Sequence, residues 1–450
     1  MNTYSKIQLL EQAHAARSVA NWSLLIQCIQ QLILGENVVP LAEFERLQLL
    51  ELAIDALAGG DFQERWDIAK VFPKLGQSAY LGDVAEVIAP LIEILEDEEA
   101  DEELRWYAAR ILGEFNHPDA ISALVELLKI GDNEELSAMA AAALGQIGSP
   151  AVGALTELLA LEDTRLLAVR SLSHIRRSET IAPLLSVAED PQISVRTAAI
   201  EALSSFHDSR ISPVLLNALD DLAAPVRREA VTGLSFRPDL QEALDLVNRL
   251  MARLYDFNLD VCTAAAIALG RLGTDAATAA LYQVLQSPNT PVTLQIEIVR
   301  ALGRVGTATG LEYLRSCLNQ LESVTWQEIV TVLGRVEQPS LKSKAAGILL
   351  DILNSDHLAT LSASVKQAIA LSLGQVGDIQ AIDQLIHLLA DADAGVRLHA
   401  IAALKHLAPV AAHRQLEWLS TNEALAPELK QGVAIALQEW SISEELGVRD

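Results

Sequence analysis

A chain of 450 residues that is 51% hydrophobic but only 4% aromatic must build its core from leucine, alanine, isoleucine and valine. Its formal charge of -27, from 60 acidic against 33 basic residues, repels polyanions and excludes general nucleic-acid binding. Only three cysteines occur, Cys28, Cys262 and Cys317, without paired spacing, so neither a disulfide framework nor a zinc site is indicated.

The first residues lack the basic start and apolar block of a secretion signal. No run of about 18 apolar residues could span a bilayer. A soluble, cytoplasmic chain with no membrane insertion is expected.

Taken in chain order, residues 1–82 are helical in pattern but off any repeat, with Gly59-Gly60 a break and Leu75-Gly76 a degenerate first phrase. They are expected to form an N-terminal helical cap ahead of a repeat array over residues 83–450. A leucine then ends the same short apolar phrase at Leu112, Leu144, Leu172, Leu203, Leu234, Leu269, Leu302, Leu333, Leu373, Leu404 and Leu437. Steps of 28 to 40 residues between these anchors are those of stacked supersecondary units.

The phrase is clearest as AAALGQIG ending at Gly148, AAIALGRLG ending at Gly273 and IALSLGQVG ending at Gly377. Small residues three and four positions before the leucine share its side of a helix and admit a neighbouring helix. Gly148, Gly273, Gly306 and Gly377 suit left-handed helix C-caps. Another amphipathic helix follows, as in Ala120 to Leu128 or Ala381 to Leu389, so each repeat is two antiparallel helices. The predicted fold is all-α, an α-solenoid of about eleven or twelve helix pairs. The longest steps place insertions near Pro238 to Asp256 and near Gln338 to Ser364, and Pro288, Pro291 and Pro339 interrupt helices in the same third.

Aligning the repeats on the leucine exposes two columns. Seven residues before the anchor stand Arg105, Arg165, Arg196, Arg227, Lys366, Arg397 and Lys430. A half-buried cation at that edge needs a carboxylate, and the aspartate that closes the preceding helix, six residues earlier in Asp190, Asp221 and Asp391, is expected to supply it.

The basic column fails at Cys262, Gln295 and Trp326, and the same three repeats carry Arg271, Arg304 and Arg335 two residues after the anchor. That position faces away from the leucine, toward the surface expected to be concave. With Arg300, these arginines form a stripe that suits carboxylate or phosphate; the competing reading is a salt-bridge network with Glu297 and Glu328. A second candidate cluster is Trp106, Tyr107, Arg110 and Glu114, followed by Arg170 and His174, with Trp106 and Tyr107 alternatively plugging the first full repeat.

Catalytic motifs are missing: there is no Gly-rich phosphate loop, no G-x-S-x-G elbow and no H-E-x-x-H sequence. None of the nine histidines precedes glutamate, which disfavours a metal-dependent hydroxylase, and His399 and His406 stand two turns apart, too far to chelate one ion unaided. Hydrolase, kinase and nuclease activities are disfavoured too. Cys262 and Cys317 are expected to fill small core sites.

The unit xxLxxLLxD followed by VRxxAAxALGxIG resembles HEAT repeats, shown well by Gln192 to Phe206 and Ala394 to Leu407. Its Ala-rich, Leu-Gly form is most similar to the repeats of phycobilisome lyases of the E/F type. The segment ELRWYAARILGEF, from Glu103 to Phe115, is similar to a phrase near the start of E-type bilin lyases, matched by Arg105, Trp106, Tyr107, Ala108, Ala109, Leu112 and Gly113. The resemblance implies cytosolic help in attaching an open-chain tetrapyrrole to a cysteine of a phycobiliprotein.

Two functions are expected as alternatives. One is a protein-binding scaffold that takes a partner on its concave face and requires no cofactor. The other is a lyase attaching an open-chain tetrapyrrole, phycocyanobilin or a related bilin, to a phycobiliprotein cysteine. There, Arg271, Arg300, Arg304 and Arg335 would hold the propionates, and Tyr107 or His174 would assist proton transfer.

Overall fold

Apolar residues recurring at helical spacing, closed by glycine, dictate helices that bury one stripe and stop sharply. A computed structural model describes residues 3–34, 42–76, 84–131, 133–318, 323–355 and 357–445, and among them there is no strand. The chain folds as two units, Met1–Ala218 and Leu219–Asp450.

The first unit holds α1 (Thr3–Ser18), α2 (Trp22–Leu34), α3 (Glu43–Gly59), α4 (Phe62–Ala69) and α5 (Phe72–Leu75). It continues with α6 (Val84–Glu96), α7 (Glu102–Leu112), α8 (Pro118–Ile130), α9 (Glu134–Ile147), α10 (Val152–Leu158), α11 (Arg165–Ile175), α12 (Ile181–Ser186), α13 (Ile193–Leu203) and α14 (Ile211–Ala218). The second unit holds α15 (Ala224–Ser235), α16 (Leu246–Arg253), α17 (Leu259–Leu272), α18 (Asp275–Leu285), α19 (Val292–Val305), α20 (Ala308–Cys317) and α21 (Ser323–Gly334). It ends with α22 (Pro339–Asn354), α23 (Ala363–Val376), α24 (Ile382–His387), α25 (Ala394–Leu407), α26 (Pro409–Ser420) and α27 (Pro427–Glu445).

Every anchor leucine falls on an odd-numbered helix from α7 to α27, the second helix of its pair. Ten of the eleven are completely buried, and Leu437 is half-buried. Gly273, Gly306 and Gly377 take the left-handed cap conformation, and Gly148 also has positive φ, which is why glycine ends these helices. The insertion after α15 is a 3-10 turn at Pro238–Leu240, and the later one is the long α22 followed by a 3-10 turn at Leu358–Leu361. Pro291 and Pro339 start helices, as N-cap and first residue, where a missing N–H costs nothing. The boundary expected between residues 82 and 83 lies outside the described residues.

A close approach unseen in the sequence pattern explains the Leu-Gly pair. Within each unit, second helices pack on second helices. A Cβ built on Gly113 would lie 2.8 Å from the Ala143 Cα, one on Gly270 2.9 Å from the Ala301 Cα, and one on Gly374 2.9 Å from the Ala403 Cα. The leucine fills its own repeat, while the glycine after it receives the backbone of the next second helix, at the small residue before that helix's anchor.

Candidate functional site

The basic column is structural except at Lys430, which is exposed, and its register differs from the expected one. Arg165 donates through Nε to the Leu159 carbonyl and through Nη1 to Asp190 Oδ2 at 2.7 Å, so its carboxylate belongs to the next repeat. Asp190 meanwhile accepts the Gln192 amide on Oδ1, and its backbone carbonyl receives Arg196 at 2.7 Å. Asp391 repeats this junction with Lys366, the Asp393 amide and Arg397. Each aspartate therefore offers its carbonyl, not its carboxylate, to its own repeat's arginine.

Arg227 forms a two-pronged pair with Asp256 at 2.8 and 2.7 Å, and its Nη1 reaches the Asp221 carbonyl. The Arg227 hydrogen bonds hold the Asp256 carboxyl below its ordinary range. Two substitutes in the failed column keep half of this role: Cys262 Sγ donates to the Asp256 carbonyl and Gln295 Nε2 to the Thr290 carbonyl. Trp326 does neither; its ring meets His357 edge-on, and its buried Nε1 finds no hydrogen-bond partner among the described residues. Sequence reasoning missed Arg65 in α4, which bonds the Leu57 carbonyl, Asp101 and Glu103 and so extends the ladder into the N-terminal helices. Its anchor there is Phe72, not leucine, seven residues on.

The exposed face of the second helices is where the alignment puts it. Two residues after the anchor, Glu114, Gln146, His174 and Ser205 in the first unit are exposed, as are Phe236, Arg271, Arg304, Arg335, Gln375 and His406 in the second. The four stripe arginines are not equivalent. Arg300 chelates Glu328 at 2.9 and 3.1 Å and reaches Glu297 at 2.5 Å, which is the salt-bridge alternative realised. Arg271 donates to Ser235 Oγ at 2.8 Å, and its guanidinium lies 4.5 Å from the Phe236 ring centre. It edges a groove of about 330 Å³ between α15 and α17, lined also by Arg228, Thr232, Thr263 and Ile267. Arg304 and Arg335 have no carboxylate partner among the described residues.

The N-terminal cluster resolves as a plug. Tyr107 is completely buried, not on the exposed face, and its hydroxyl donates to the Phe62 carbonyl at 3.1 Å. Burial leaves it no exposed surface for a ligand and pushes its hydroxyl up from the ordinary range. Trp106 packs edge-on to Tyr107 at 5.1 Å, and the Arg110 guanidinium lies 4.3 Å from the Trp66 ring of α4. These aromatics join the N-terminal helices to the first full repeat. Arg170 and His174 are exposed, with His174 Nδ1 bonded to the Arg170 carbonyl at 2.7 Å.

All three cysteines are buried and free, and burial pushes the Cys317 thiol up to about 12. No group of three or more histidine, cysteine or acidic side chains able to hold a metal is found among the described residues. Among the described residues no single helix is long and apolar enough to cross a membrane.

Comparison with known proteins follows the same lines. The family of HEAT repeats matches residues 88–165, 154–235 and 212–296, and the PBS lyase HEAT-like repeat matches residues 365–391. No curated protein matches the sequence. Kap95p, in a structure concerned with its binding to RanGDP, aligns with a TM-score of 0.53 and 13% identity over 98% of this chain and 66% of its own. The Kap95:Nup1 complex gives 0.57 and 13% over 99% and 69%, and Kap121p bound to Nup53p gives 0.57 and 15% over 99% and 55%. The chain spans just under two thirds of the first of these proteins, and at such identities the likeness shows the fold alone.

Proposed function

From the premise that the chain is a HEAT-repeat protein resembling the phycobilisome lyase family, we propose that it is a protein-binding scaffold. Its docking surface is the exposed face of the second helices, and the family resemblance makes a phycobiliprotein subunit the partner. One observation carries this reading: Arg304 on α19 and Arg335 in the turn that closes α21, at the same position of consecutive repeats, are exposed without carboxylate partners among the described residues, in a chain of charge -27. An acidic surface supplies neutralising carboxylates readily, so cations kept apart from them are available for a partner. Kap95 and Kap121p, of similar fold, are each seen with a protein, Nup1 and Nup53p. Gel filtration of the chain with a phycobiliprotein apo-subunit at low salt tests the proposal. Co-elution is expected, and separate peaks would overturn the choice of partner.

A second reading, the bilin lyase, draws on Arg271. Its guanidinium is held against the exposed Phe236 ring beside a groove of small-molecule size, where a pyrrole would stack and a propionate would pair. Arg271, Arg304 and Arg335 are its propionate candidates, with Arg300 already neutralised and Tyr107 withdrawn by burial. Visible absorption titration with phycocyanobilin, with and without the apo-subunit, separates the two readings. A red-shifted band that becomes covalently attached to the apo-subunit means a lyase, and an unchanged spectrum with a retained protein complex means a scaffold.

A further inference from the structure

Exposed arginines recur at one position of three successive repeats, and the usual separation of stacked helices describes what would bind them. Arg271 and Arg304 lie near the C-terminal ends of α17 and α19, and Arg335 occupies the equivalent alignment position in the turn immediately after α21. The residue before each of the first two is a glycine in tight contact with the next helix. A Cβ on Gly270 would lie 2.9 Å from the Ala301 Cα, and one on Gly303 2.1 Å from Val332 Cγ1. The arginines are thus rooted where adjacent helices come closest, within the usual interaxial separation of about 8–10 Å.

A polypeptide crossing this row in polyproline II form advances about 3.1 Å per residue and, with three residues per turn, keeps every third side chain on one face, whereas a strand, at about 3.3 Å per residue, turns residues three apart to opposite faces. Three residues therefore span one helix-to-helix step, two fall short and four overshoot. A helical ligand, at about 1.5 Å per residue, would need roughly six. Resting on the docking reading above, we propose that this face takes an acidic segment of a protein partner in the extended polyproline II form, with a carboxylate at every third residue and one arginine for each.

Charge complementarity favours that occupant, because the three cations stand in a row on an otherwise acidic chain. The site is built at one end: Ser235 and Phe236 fix the Arg271 guanidinium at the edge of its groove, so less side-chain entropy is lost when a carboxylate pairs there. Arg300 takes no part while Glu297 and Glu328 hold it. Nucleic acid is the competing polyanion, and the overall charge opposes it.

Fluorescence anisotropy with three labelled synthetic peptides tests the proposal. Each carries three glutamates in a serine and proline background, spaced two, three or four residues apart. The three-residue spacing should bind about fivefold tighter than the other two at low salt, with binding weakened by added salt. Arg304→Ala with Arg335→Ala should weaken it about tenfold or more, and Glu297→Gln with Glu328→Gln, which frees Arg300, should tighten it about threefold. Equal affinity for all three spacings, with the arginine variant still losing a protein partner, would overturn the extended register and leave the docking face standing. Indifference of every ligand to the arginine variant would overturn both. A single-stranded oligonucleotide that competes as well as the acidic peptide would overturn the choice of partner chemistry.

Discussion

Replacing Arg227 by alanine removes the best-formed rung of the ladder. The Arg227 and Asp256 side chains are only 13% and 5% exposed, so solvent screening is weak and the carboxylate left behind cannot rehydrate fully. Breaking a buried pair from one side costs about 3–5 kcal/mol, and the low end, about 3 kcal/mol, applies because Asp256 keeps the Asn258 amide. With a urea slope of about 2–3 kcal/mol/M, the midpoint of the transition that unfolds α15 and α17 should fall by about 1–1.5 M. Stacked repeats can open piecemeal, so amide exchange within those two helices should be followed alongside circular dichroism.

The loss should also depend on pH. The folded Asp256 carboxyl is held below its ordinary value of 3.8, so its stabilisation is present above that value and is lost as pH falls through the folded pKa. In the variant, burial without a partner raises the pKa, and acidification relieves the penalty. The deficit should therefore be larger at pH 7 than at pH 4. A deficit under about 1 kcal/mol at pH 7, or one unchanged at pH 4, would refute the idea that this ladder ties successive repeats together.

Two glycines should respond in opposite directions to alanine. Gly270→Ala should destabilise by about 1–3 kcal/mol despite better helix propensity, because its Cβ meets the Ala301 backbone, whereas Gly347→Ala, with open space at its Cβ, should stabilise by about 0.5–1 kcal/mol in thermal or urea unfolding. Tyr107→Phe should cost about 1 kcal/mol, from the lost bond to the Phe62 carbonyl, and leave affinity for any ligand unchanged in a titration. At pH 8 the native protein should react with a thiol reagent such as DTNB at none of its three cysteines, and the denatured chain at all three.

The sequence carried the repeat, its anchors and the outward face of each second helix, because these follow from helical spacing within one repeat. The ladder's register was not legible. Whether Asp190 turns its carboxylate to Arg165 or Arg196 depends on how consecutive repeats superpose, and residues 25 apart in one case and 6 in the other are equally close once stacked. Arg65 was hidden for a related reason, since its anchor is the aromatic Phe72 and the step to Leu112 is as long as that across the later insertion. The burial of Tyr107 depends on Phe62, in a region outside the repeat pattern, so its position on the exposed column misled. For Glu297 and Glu328 the salt-bridge alternative was visible from spacing; that it captures Arg300 and spares Arg304 and Arg335 required side-chain geometry.

The most direct test of the scaffold account is the affinity of the chain for a phycobiliprotein apo-subunit, measured for the wild type and for Arg304→Glu with Arg335→Glu across a range of salt. Both arginines are exposed and make no carboxylate contact among the described residues, so the substitutions should leave the melting temperature within a few degrees of the wild type. Binding weakened by about tenfold or more at low salt, with the gap closing as salt rises, is the predicted result. Equal affinity for the two proteins at every salt concentration would contradict the assignment of this face.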